Sequence, residues 1–172
     1  MARAFERPAT IALPGSVGEG LALEGLYVPV AAAAAAGGAV IAAPHPLMGG
    51  SMDSPVVTEI AWACQRAGRA SLRFNWRGVG ASGGETSGDI GDADVDYASA
   101  TAFLTETVPG PIMACGYSFG AIAALRATTR DPVPQRLLLV APPTGMLDAS
   151  LLASFSGEIL LVAGHEDQWV DT

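Results

Sequence analysis

Lysine is absent from this chain, and all nine of its basic residues are arginine. Against 17 acidic residues they leave a formal net charge of −8, and nowhere do they gather into a cluster. A chain without a basic patch cannot neutralise a run of phosphates, so nucleic acid is excluded as a partner. Cysteine is nearly missing. Cys64 falls in a helical pattern and Cys115 at the end of a strand-like run. Two isolated cysteines build neither a disulfide framework nor a metal cluster, and reduced, buried thiols in a cytoplasmic protein are the expectation. Long apolar runs are lacking as well. The opening MARAFERPAT has no apolar signal core. The six alanines at 31–36 are too few and too weakly apolar to cross a bilayer, and they read as a loop insertion. No membrane partner is expected.

Acidic residues do gather once, at Asp89, Asp92, Asp94 and Asp96. No glutamate closes a calcium loop there. The run reads as a solvated helix start, where carboxylates suit the positive end of the dipole. A glycine-rich GVGASGG follows a strand but does not open a helix with G-x-G-x-x-G spacing, which argues against a nucleotide-binding domain.

Half of the residues are hydrophobic, and 21 glycines and 12 prolines fall mostly between the apolar runs. At 172 residues the chain is expected to form one domain with a sizeable core. Residues 9–13 and 21–28 alternate apolar and polar positions around PGSVGEG, the pattern of a β-hairpin. AVIAAPHP is a continuous apolar run, fit for a strand buried on both faces. SPVVTEIAWACQRAG carries apolar positions at Val57, Ile60, Ala61 and Cys64, a helical stripe, with Ser54 and Pro55 as cap and first-turn proline. Then come the strand ASLRFNW, the helix GDADVDYASATAFLTETV, the strand PIMACGY, the helix FGAIAALRATT, and the strands RLLLVAPP and GEILLVAG. Such alternation predicts a three-layer α/β/α fold, a mostly parallel twisted sheet with an antiparallel N-terminal hairpin. Function then collects beyond the carboxyl ends of the strands, in PHPLMGGS, NWRGVGASGG, GYSFG, APPTG and GHEDQW.

GYSFG stands between an apolar strand and an Ala-rich helix, the context that a G-x-S-x-G nucleophile corner requires. The turn is tight, so side chains at Gly116 and Gly120 would strike the neighbouring strand and helix. Ser118 would project its hydroxyl above the sheet as nucleophile. The amide of Phe119 is the first expected oxyanion donor. The second comes from PHPLMGGS, with Leu47 chosen and Met48 next. Asp167, in the turn after the last strand, suits the acid that orients a base. Met48, Phe119 and Trp169 are candidate linings of an acyl pocket. Arg77 either binds a substrate carboxylate or, the reading preferred, pairs with an acidic residue and orders its turn.

Taken in order, PHPLMGGSMDSPVV, SLRFNWRGVGASGG, ACGYSFGAIAAL, LLLVAPP and ILLVAGHEDQWV resemble the α/β-hydrolase superfamily. They are most similar to small bacterial members related to dienelactone hydrolases and acyl-peptidase-like serine hydrolases. The resemblance covers nearly the whole chain. It implies Ser118 as nucleophile, Asp167 as triad acid, Leu47 and Phe119 as oxyanion donors, and no metal or organic cofactor. It also implies a small-molecule ester, thioester or amide as substrate.

One departure concerns the base. The family order is serine, acid, histidine, yet the sequence stops five residues past Asp167. The expectation is a longer polypeptide, with the histidine, the final strand and the closing helix beyond Thr172. His165 lies only two residues before Asp167, too close on one loop to bridge acid and serine. His45 is expected to hold the oxyanion loop by hydrogen bonding. The alternative is a non-catalytic scaffold of the same fold that binds a ligand or partner. Monomer and homodimer both stay open.

Overall fold

The computed structural model describes residues 5–30 and 36–164. A seven-stranded sheet runs in the order β1-β2-β4-β3-β5-β6-β7. β1 (Arg7–Ala12) and β2 (Ala22–Val28) form the expected hairpin, and β2 lies antiparallel to β4 (Ala70–Phe74). From β4 onward, β3 (Gly38–Ala42), β5 (Ile112–Tyr117), β6 (Arg136–Val140) and β7 (Glu158–Val162) are all parallel. Their carboxyl ends therefore share one edge, and the loops read as functional leave from it. The alanine run at 31–35 lies outside the described residues.

Helix α1 (Pro55–Arg66) buries Val57, Ile60, Ala61 and Cys64, the four positions of its apolar stripe. They meet Ala39, Ile41 and Cys115 on one face of the sheet. Ser54 holds the cap position, but its side chain makes no capping bond; Pro55 supplies the first turn. The two cysteines are free and buried. Burial pushes the Cys115 thiol well above its ordinary value.

The other face carries α2 (Ile90–Thr107) and α3 (Phe119–Arg126), which form the larger core with Val40, Leu72, Phe74 and Leu139. A short helix, α4 (Ala149–Ser154), joins β6 to β7 and packs on α3; its six residues carry too little pattern to be read in advance. Asp89 caps α2 by accepting from the amides of Gly91 and Asp92. The buried Tyr97 hydroxyl ties β3 to β5, donating to the Val40 carbonyl at 3.0 Å and accepting from the Cys115 amide at 3.0 Å. The bond sits just upstream of the serine corner and fixes the strand that carries it.

The expectation of a solvated acidic run fails for two of its four members. Asp94 and Asp96 are buried, at 3% and 1% exposure. Asp94 receives Arg126 at 2.6 Å and Arg130 at 3.0 Å, while Asp96 receives Arg77 at 2.7 Å. A carboxylate enters a core when a guanidinium satisfies it, and these cations come from other elements, which helical period cannot show.

Candidate active site

The strand-to-helix corner after β5 sets Ser118 at φ 54° and ψ −119°, outside the regions that L-residues favour. Its amide donates to Val140 on β6, and its carbonyl accepts from Ala121, so bonds on both sides hold the strained residue. Both glycines of the motif are close approaches. A Cβ on Gly116 would strike the Gly120 carbonyl and the Ala121 amide of the helix start. A Cβ on Gly120 would lie 2.5 Å from the carbonyl oxygens of both Ala42 and Ala43 at the end of β3. Those are backbone atoms and cannot swing aside. Gly120→Ala is therefore expected to cost about 1–3 kcal/mol in urea unfolding, since overpacking against a fixed neighbour moves the backbone.

Ser118 is half-buried and lines a cavity of about 450 Å³ with His45, Met48, Gly49, Gly50 and Tyr117. A larger cavity, about 780 Å³, lies between β1 and α2, away from the corner. Size alone does not single out the site; the strained serine does.

The loop after β3 closes one side of this cavity. Pro46–Met48 form a single 3₁₀ turn. Within it the amides of Met48 and Gly50 both donate to the His45 carbonyl at 3.0 Å, and that of Gly49 donates to Pro46. The Leu47 amide has no acceptor among the described residues, and neither has that of Phe119 in the first turn of α3. Of the two expected donors on this loop, Leu47 thus has its N–H free and Met48 does not. The Met48 side chain lines the cavity and is 79% exposed. The Phe119 ring does not line it; buried, it packs on His45 with centroids 4.8 Å apart and on Trp76 at 5.8 Å.

One expectation about the His45 side chain needs correction. The His45 imidazole does not hold the loop by hydrogen bonding: its Nδ1 is buried and has no partner among the described residues. Its main-chain carbonyl does that work. Trp76 shares it, donating its indole N–H to Ala43 and Pro44 at 3.1 Å each. Trp76 sits in an edge loop by sequence yet is 2% exposed, and only its reach across to β3 reveals the role. Trp76→Phe leaves two carbonyls without their donor and is expected to cost about 1 kcal/mol, read as a lower urea midpoint.

Arg77 follows the preferred reading. Its Nε and Nη2 donate to Asp96 and its Nη1 to Asp92, so no part of the guanidinium is left for substrate. Asp167 and Trp169, with His165, lie outside the described residues. The last described residue, Gly164, leaves β7 at the sheet edge where Ser118 stands.

No protein-family model matches the chain. An uncharacterized protein of Rickettsia prowazekii is 31% identical over 137 residues, and the chain spans 57% of its length. Among solved structures, a protein of unknown function from Agrobacterium tumefaciens, regarded as a candidate α/β hydrolase, is 31% identical with a TM-score of 0.82; the match covers 95% of this chain and 72% of that one. An α/β serine hydrolase without a lid from Xanthomonas campestris is also 31% identical, with a TM-score of 0.77 over 99% of this chain and 77% of that one. An α/β serine hydrolase homologue from Coxiella burnetii is 27% identical, again with a TM-score of 0.77. Fold order, serine corner and sequence identity agree: the chain belongs to the α/β-hydrolase superfamily.

Proposed function

We propose that this protein is a serine hydrolase that cleaves small esters, thioesters or amides through an acyl-enzyme on Ser118. The observation that carries the reading is the backbone of Ser118, held at φ 54° on the rim of the cavity. Strain of this kind costs about 1–3 kcal/mol and persists where the surroundings impose it, most often at a reacting centre. Attack of the Ser118 oxygen on a carbonyl puts negative charge on the carbonyl oxygen. The Leu47 and Phe119 amides, without other acceptors among the described residues, are the donors for that charge. The positive end of α3 adds to them. The proton of Ser118 passes to a histidine base, which Asp167 orients. The adduct collapses as the histidine gives that proton to the departing alcohol, thiol or amine; water then attacks the acyl-enzyme, the histidine takes its proton and returns it to the Ser118 oxygen, and the carboxylic acid leaves.

The connection from β6 to β7 holds only one 3₁₀ turn and the six-residue α4, which supports an open site without a lid. The second reading is a binding scaffold of the same fold, since a serine without a base is a weak nucleophile. A fluorophosphonate probe separates the readings. Stoichiometric labelling of Ser118, located by mass spectrometry and lost in Ser118→Ala, supports the hydrolase. An unlabelled Ser118 in the full encoded protein sinks it and leaves the scaffold.

A further inference from the structure

We infer that the site selects acyl groups without a negative charge, neutral or cationic, and discriminates against those that carry a carboxylate. The inference rests on the hydrolase reading above and on where the arginines lie. Arg66 and Arg126 end α1 and α3, and Arg69 and Arg136 sit where β4 and β6 begin. All four belong to the edge of the sheet opposite Ser118. Arg130 follows α3 and is bound to Asp94. Arg7 opens β1 opposite Tyr27, which pairs in turn with Leu72 of β4.

Among the described residues only Arg73 and Arg77 approach the serine edge, and both are consumed. Arg73 donates to Glu6 through Nε and Nη2, and to the Met52 carbonyl and Asp53 through Nη1. Arg77 is divided between Asp92 and Asp96. Of the residues lining the cavity at Ser118, Asp53 is the one carboxylate, and Arg73 already pairs with it. Acids crowd the same edge. Glu24 binds Asn75 and the Ala81 amide, and Asp89 caps the helix that starts there. A carboxylate entering this cleft would lose its water and meet no free cation among the described residues. An alkyl chain would rest on Met48, Pro44, Pro55 and Tyr117.

The test uses three para-nitrophenyl esters of equal chain length: hexanoate, hydrogen adipate and ω-aminohexanoate. Each rate is corrected for spontaneous hydrolysis. For the full encoded protein in low salt, kcat/KM is expected to be about tenfold or more higher for hexanoate than for hydrogen adipate. The aminohexanoate ester should at least match hexanoate. Raising salt from about 20 mM to about 500 mM should shrink the hexanoate-to-adipate ratio by screening. Equal or faster turnover of hydrogen adipate overturns the inference and leaves the hydrolase standing. So does a ratio indifferent to salt, which assigns the preference to apolar packing. If no ester is turned over and the fluorophosphonate leaves Ser118 unlabelled, the hydrolase reading itself falls, and the inference with it.

Discussion

Ser118→Ala is expected to lower kcat/KM toward a neutral para-nitrophenyl ester by about 10⁴-fold or more, with the fold intact. The size follows from the mechanism. Without the hydroxyl no acyl-enzyme forms, and what is left is catalysis by the two amides and by binding, about 10³–10⁴ over water. Stability should hardly move, because alanine bears the positive φ no worse than serine. The more telling companion is Ser118→Gly. Glycine adopts φ 54° without penalty, so this variant should unfold at higher urea than wild type, by about 1 kcal/mol, while remaining inactive. A gain of stability on loss of the nucleophile marks strain held for function. Retention of more than a tenth of the activity in Ser118→Ala would move the nucleophile elsewhere. A destabilised Ser118→Gly would show that the corner is not strained at all.

The strand and helix order was legible because each element carried its own period. The α1 stripe of Val57, Ile60, Ala61 and Cys64 is buried as its spacing predicts. The serine corner was legible because a turn that tight admits only glycine at 116 and 120, and steric demands of that kind are written locally. What escaped is what depends on distant partners. Asp94 and Asp96 look like surface residues until arginines from 19 to 36 positions away are brought to them. Trp76 looks like a loop aromatic until β3 lies beside it. His45 was given a hydrogen-bonding task that its carbonyl performs instead, a distinction that residue type alone cannot make. The strand β7 is apolar in sequence, and all five of its residues are exposed within the described part. Sequence shows that a segment is apolar; only the arrangement of neighbours shows what covers it.

The acidic residue most misread from sequence yields the largest expected stability effect. Asp96→Ala should cost about 3–5 kcal/mol. Asp96 accepts from the Arg77 amide at 2.9 Å, from Nε at 3.0 Å and from Nη2 at 2.7 Å. Its removal strands the guanidinium of Arg77, a residue only 8% exposed, with Asp92 as its single remaining acid. Replacing both partners, Arg77→Met with Asp96→Leu, should cost less than the single change, because no charge is left buried. The pH dependence has an unusual sign. Burial raises the Asp96 carboxyl above its ordinary value, against the opposing pull of Arg77. A carboxyl raised on folding binds its proton more tightly in the folded state than in the unfolded one. Its titration contribution is fully present below the unfolded value and is lost as pH rises through the folded value. The advantage of wild type over Asp96→Asn should therefore shrink as pH rises through and above the ordinary carboxylate range, as read by paired urea titrations. An advantage that grows over that range would mean that attraction to Arg77 outweighs desolvation, and the ion pair would then be a net stabiliser of the loop behind the serine.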